Sequence, residues 1–177
     1  MKILSFDVES NGLHGPAFAV AGLLLDDTGK TLSSFAGRCP IVGEIDEFVA
    51  AEVIPQFTDL TAAYPDGRAM RDAFWDWYVA AKKAADMVVV QNGYPVEARF
   101  LIACQEDDLE ARYWDHPFPM IDLTSLLWQI GGQTREQREK LFAITTSGAD
   151  RRSHDPRYDA WAAATTAFYA LRQAGQL

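Results

Sequence analysis

The segment Lys-Ile-Leu-Ser-Phe-Asp-Val-Glu-Ser-Asn-Gly, from Lys2 to Gly12, carries two acids in an otherwise apolar, β-favouring run that ends in a turn signal. Side chains two residues apart on a strand share a face, so Asp7 and Glu9 project together with Cα atoms roughly 6.5 Å apart. Carboxylates held this close repel and lose solvation unless a divalent cation neutralises them. An all-oxygen donor set suits Mg²⁺ or Mn²⁺ better than Zn²⁺. The same pair could be a strand end that has reached water, so the chemistry requires further acids in matching contexts.

Two later segments supply them. Met87 to Gln91 is a short β-branched run of the buried parallel type, followed by Asn92-Gly93-Tyr94-Pro95-Val96-Glu97. Pro95 suits the first position of a helix, which puts Glu97 in the first turn beside the strand end, where parallel sheets open their crevice. An acid there also complements the helix dipole without further function. Near the C-terminus, Ser153-His154-Asp155-Pro156-Arg157-Tyr158-Asp159 leads into an alanine-rich helix. Asp155 is a good N-cap and Pro156 a good first residue, so Asp159 falls in the first turn and His154 on the loop before it. A fixed carboxylate beside a mobile imidazole is what a metal ligand and a general base need. By itself, a histidine beside a helix start is an ordinary feature.

The elements that must position these groups are legible in outline. Ala17 to Leu25 is a long apolar run followed by Asp26-Asp27-Thr28-Gly29-Lys30, which predicts a hairpin into Thr31 to Ala36 and a three-strand antiparallel meander. The apolar run predicts a central strand covered on both faces. Helices are expected over Glu44 to Val53 and Arg68 to Ala85. In the second, Met70, Phe74, Trp77 or Tyr78 and Ala81 recur at helical intervals, so its aromatic cluster is read as core rather than as a stacking platform for bases. A short strand at Met120 to Thr124 leads into a helix over Ser125 to Ile130 capped by Asp122, and another helix follows over Thr134 to Ile144. Arg135, Arg138 and Lys140 are read as its solvated face. Asp107 and Asp108 are expected to be exposed. The loop Asn11 to Gly15 hangs directly off the paired acids, where Leu13 or His14 could wedge against a nucleobase or simply make a loop contact.

The chain has 177 residues, 49% of them hydrophobic, enough for one domain with a substantial core. It contains no apolar run long enough for a membrane span, and its opening strand pattern leaves no expected signal peptide. Cys39 and Cys104 lie far apart without metal-ligand spacing, which fits a reduced, cytoplasmic chain. A net charge of −9 argues against a broad basic surface for nucleic acid, while bound divalent ions would offset part of it.

The set Asp7-x-Glu9, Asn92 followed by an acid at a strand-to-helix junction, and His154-x-x-x-x-Asp159 resembles the three motifs of the DEDDh exonucleases, in order and across nearly the whole chain. The second motif departs from the family: its Asp normally follows the Asn by four residues, where this chain has Val96, with Glu97 one beyond. The resemblance implies a ribonuclease H-like α/β fold with a five-stranded mixed sheet, the meander plus two parallel strands at Met87 to Gln91 and Pro119 to Asp122, and helices on both faces. It implies a single exonuclease domain over residues 1–177 that hydrolyses single-stranded RNA or DNA from 3' ends to nucleoside 5'-monophosphates, with RNA favoured. Two Mg²⁺ or Mn²⁺ ions would be held by Asp7, Glu9, Glu97 and Asp159, with His154 as general base. Ser10, Asn11, Gly12, Leu13, His14 and Asn92 would hold the terminal nucleotide. A homodimer would gather Arg138, Lys140, Arg151 and Arg152 near a neighbour's site. The alternatives are a binding or scaffold protein that retains the fold without turnover, and a metal-dependent enzyme acting on a small nucleotide.

Overall fold

The protein is described by a computed structural model that covers residues 1–57, 59–115, 119–149 and 153–177. Five strands form one sheet: β1 (Lys2–Ser10), β2 (Ala17–Asp26), β3 (Thr31–Arg38), β4 (Met87–Val90) and β5 (Ile121–Asp122), in the order β3-β2-β1-β4-β5. The first three are antiparallel, and β4 and β5 add in parallel to β1 and to each other. The centre of the sheet is therefore β1, with β2 beside it; β2 is nonetheless buried along both faces, as its apolar run requires.

The helices are α1 (Gly67–Ala84), α2 (Val96–Glu106), α3 (Leu109–Arg112), α4 (Leu123–Gln129), α5 (Arg135–Thr145) and α6 (Pro156–Gln173). Strand alternation divides the core between the two faces of the sheet. Leu4, Phe6 and Val8 of β1 pack with Met70, Phe74 and Tyr78 of α1, while Ile3 packs on the other side with Ala160, Ala163, Ala164 and Ala167 of α6. Each of the large side chains buried here contributes about 1.5–3 kcal/mol. The aromatics of α1 are core: Phe74 and Tyr78 are fully buried, and Phe74 meets Phe6 at 5.5 Å between ring centroids. Asp107 is not an exposed acid, because Arg71 holds it with Nη2 at 2.9 Å from Oδ1.

Gly22 answers to close packing. A Cβ there would lie 2.6 Å from the Trp77 ring and 3.0 Å from the Phe6 Cβ. Gly22→Ala is expected to destabilise the fold by roughly 1–3 kcal/mol, the usual cost of overpacking a filled core. Urea unfolding measures this, and an unchanged midpoint would refute the tight fit.

The expected helix over Glu44 to Val53 forms only in its second half. Asp46 Oδ1 accepts from the N–H groups of Phe48 and Val49, so the chain stays irregular before them and then makes a wide turn at Val49–Val53 and a 3₁₀ turn at Ile54–Phe57. Pro95 also differs from expectation: it stands at the cap of α2, and the helix begins at Val96. Glu97 still falls in the first turn.

Candidate metal centre

Asp7 and Glu9 lie on the face of β1 that α6 covers. The alanines of α6 bring its axis close to the sheet, since small side chains shorten the packing distance. Asp155 caps the helix by accepting from the Arg157 N–H at 3.0 Å, and Pro156 is its first residue, as the local sequence demands. Asp159 then sits in the first turn, facing β1. Asp7, Glu9 and Asp159 each offer an oxygen, and these atoms lie within 4.8 Å of one another. Asp155 is itself buried and is gripped by Arg157, whose guanidinium also reaches Asp59 at 2.7 Å, so the start of α6 is anchored.

Glu97 stands beside this trio rather than within it. Pairing between β1 and β4 stops at Ser5 and Val89, and the start of α2 comes alongside the unpaired end of β1. There the Glu97 carboxylate accepts from the Val8 N–H and from its own, and it lines the same cavity of about 300 Å³ as the trio. Asp122 braces this corner: one oxygen accepts from the Gly93 N–H at 2.9 Å and the other caps α4 through the Thr124 N–H at 2.8 Å.

All four acids bind protons more tightly than free carboxyls. Burial is the main cause, and the charges acting most strongly on them are other acids. Asp7 is raised well above its usual value, Glu9 to about 9, and Glu97 and Asp159 each to about 7. This donor set fits a hard divalent cation: it is all oxygen and close-set, and among the described residues no lysine or arginine pairs with it.

The folded state keeps protons that the unfolded chain releases near its ordinary carboxyl values, so these groups favour folding at low pH and oppose it as pH rises through about 7 to 9. In chelator, the melting midpoint is expected to fall between about pH 6 and about pH 9. Mn²⁺ at a hundred times its dissociation constant should restore about 2.7 kcal/mol, or roughly 5–10 °C. Equal midpoints at the two pH values in chelator would contradict the shifts.

His154 lines the same cavity. Its backbone is left-handed, φ 69°, and its N–H donates to Asp159 Oδ2 at 2.8 Å, so the loop itself fixes the carboxylate. The imidazole Nδ1 lies 3.9 Å from Glu9 Oε1, beyond hydrogen-bond range, and its ring meets Phe48 edge-on at 5.6 Å.

Of the residues expected around a terminal nucleotide, Leu13 and Asn92 line the cavity. Ser10 donates its hydroxyl to the Gly12 carbonyl, and Gly12 adopts φ 73° to turn the loop. Asn11 uses both ends of its amide on the neighbouring segment, donating to the Glu44 carbonyl and accepting from the Asp46 N–H, each at 2.8 Å. His14 stands with Nδ1 3.5 Å from Arg99 Nη1. Tyr94 and Gln91, not singled out from sequence, also line the cavity; Tyr94 lies inside the second motif, which could have marked it. Phe48 had no comparable signal. Arg151 and Arg152 lie outside the described residues, and Arg138 and Lys140 line a second cavity of their own chain. Among the described residues, no helix is long and apolar enough to cross a membrane. Cys39 and Cys104 are both free and buried.

The sequence matches no known protein-family model and no curated protein. Among solved structures, the chain is similar to Exonuclease X in complex with 5' overhanging duplex DNA, at 15% identity and a TM-score of 0.60, over 98% of this chain and 93% of that one. The five-stranded mixed sheet with helices on both faces is thus the ribonuclease H-like α/β fold seen in that exonuclease.

Proposed function

We propose that residues 1–177 form a single metal-dependent 3'-to-5' exonuclease domain that trims single-stranded nucleic acid, RNA in preference to DNA, to nucleoside 5'-monophosphates. The observation that carries this reading is the convergence of Asp7, Glu9 and Asp159, with oxygens within 4.8 Å and proton affinities raised by burial and mutual repulsion. The likeness in fold to an exonuclease supports it.

Asp7, Glu9 and Asp159 would hold Mg²⁺ or Mn²⁺, with Glu97 completing the acidic wall of the cavity. When bound, such ions supply the positive charge that draws in the phosphodiester and lowers the pKa of attacking water. His154, on its loop beside Glu9, accepts the proton that water gives up. Leu13 and Tyr94, both exposed and both lining the same cavity, offer apolar surface to the terminal nucleotide. The two buried free thiols suit a reducing, cytoplasmic setting.

Oligonucleotides labelled at the 5' or the 3' end, RNA and DNA separately, test the reading with Mg²⁺ and Mn²⁺. A ladder from the 5'-labelled strand, with mononucleotide released from the 3'-labelled one, is the expected result. Internal fragments or no cleavage would refute it. A non-catalytic binding protein is the second reading, favoured by the position of Glu97 outside the trio; strand binding without cleavage would select it.

A further inference from the structure

A second cavity, of about 870 Å³, opens between α4, α5 and the start of α6. It shares Gln91, Asn92, Ser153 and Asp159 with the smaller one, so the candidate metal centre stands where two chambers meet. The larger chamber combines three chemistries. Leu123, Leu127 and Phe142 offer apolar wall, Thr124 and Asn92 offer hydrogen bonds, and α5 contributes Arg135, Arg138 and Lys140 alongside Glu136 and Glu139. Two of these cations are only loosely engaged: Arg135 pairs with Glu139 at 2.7 Å and Lys140 with Glu136 at 2.8 Å, on side chains that are mostly exposed. Surface pairs of this kind are weak enough for a phosphate to compete.

Tyr158 provides a separate observation. It lines the same chamber from the first turn of α6, and its hydroxyl is shut off from solvent without a hydrogen-bond partner among the described residues. A sequestered, unpartnered hydroxyl is unfavourable and uncommon, and phenylalanine would fill the space without that cost. For an acceptor on an entering ligand to reach the hydroxyl the chamber wall must shift, and α5, which forms part of that wall, has no buried residue to hold it.

We infer that the larger chamber receives the body of the polynucleotide strand, across the scissile linkage from the terminal nucleotide. Phosphates lie toward Arg135 and Lys140, a base rests against the apolar wall, and an acceptor on the strand satisfies Tyr158. This rests on the exonuclease reading and adds to it the path of the strand.

The test is binding with Ca²⁺ replacing Mg²⁺ to suppress cleavage. A 5'-fluorescein-labelled single-stranded oligonucleotide and a nucleoside 5'-monophosphate are titrated against wild type, Tyr158→Phe and Lys140→Ala. Tyr158→Phe is expected to weaken the oligonucleotide about five- to tenfold, the loss of one hydrogen bond, without lowering the melting midpoint. Lys140→Ala is expected to weaken it about threefold and to reduce the slope of log affinity against log salt by about 0.7. The mononucleotide, confined to the smaller chamber, should lose much less. Oligonucleotide affinity unchanged in both variants overturns the strand path and leaves the exonuclease reading standing, as does equal weakening of the two ligands. Wild type that binds no oligonucleotide overturns the path and the nucleic-acid reading together.

Discussion

Asp7→Asn is expected to lower phosphodiester cleavage by roughly a thousandfold or more, the scale of losing a preorganised electrostatic stabiliser, and to make the metal-free protein more stable at high pH. The two effects have one cause. Asp7 shares its site with Glu9 and Asp159, and its proton affinity is raised by burial first and then by Asp159, Glu9 and Glu97. The charge that would hold a cation is therefore one that the metal-free fold disfavours. Asparagine keeps the volume and removes the charge. At about pH 4, where the unfolded chain still holds many of its carboxyl protons, the variant should melt close to wild type, and its advantage should grow as pH rises. Near pH 9 in chelator it should be more stable by on the order of 1–2 kcal/mol. Cleavage rates with Mn²⁺ and melting in chelator at both pH values check the pair of effects. More than about a tenth of wild-type activity would place the chemistry elsewhere, and a loss of stability near pH 9 would show that Asp7 is structural.

His154→Asn is expected to slow cleavage about a hundredfold to ten-thousandfold while leaving Mn²⁺ binding intact. The choice of asparagine follows from the backbone. His154 has φ 69°, a conformation asparagine tolerates better than most residues, and its N–H holds Asp159 Oδ2. The variant thus keeps the bond that orients the carboxylate and removes only the imidazole, together with its contact to Phe48. Single-turnover rates and Mn²⁺-induced thermal shifts separate the roles. A rate loss with an unchanged thermal shift identifies proton transfer. A fall in both would mean that the loop acts by positioning Asp159, and a rate within about threefold of wild type would remove His154 from the mechanism.

The irregular segment before Val49 shows how a feature near the site can escape a sequence reading. Residues 44–53 have helical composition, but Asn11, more than thirty positions away, takes the Glu44 carbonyl and the Asp46 N–H for its own amide. That clamp delays the helix and presents Phe48 to His154. A polar residue in a loop beside paired acids reads as a ligand-binding group; here its amide is occupied by neighbouring backbone. Glu97 teaches a similar point. Its place in the first turn of α2 follows from the sequence, but the Val8 N–H that it accepts from is left without a strand partner because β4 stops short of it.

Local rules carried the sequence far. The two-residue period of a strand set Asp7 beside Glu9, and Asp155 with Pro156 set the start of α6 and hence the turn that bears Asp159. Alternating and continuous apolar runs predicted the meander and the parallel strand at Met87 to Gln91, while the parallel placing of the last strand was implied by the resemblance to the exonucleases. Tertiary packing decided which acids share a site: the alanine face of α6 closes on one side of β1, bringing together carboxylates about 150 positions apart in the chain. It also left Glu97 beside the trio and the Tyr158 hydroxyl without a partner among the described residues. Backbone preferences act over a few residues, whereas distances between remote side chains depend on how faces fit, and no local pattern encodes that fit.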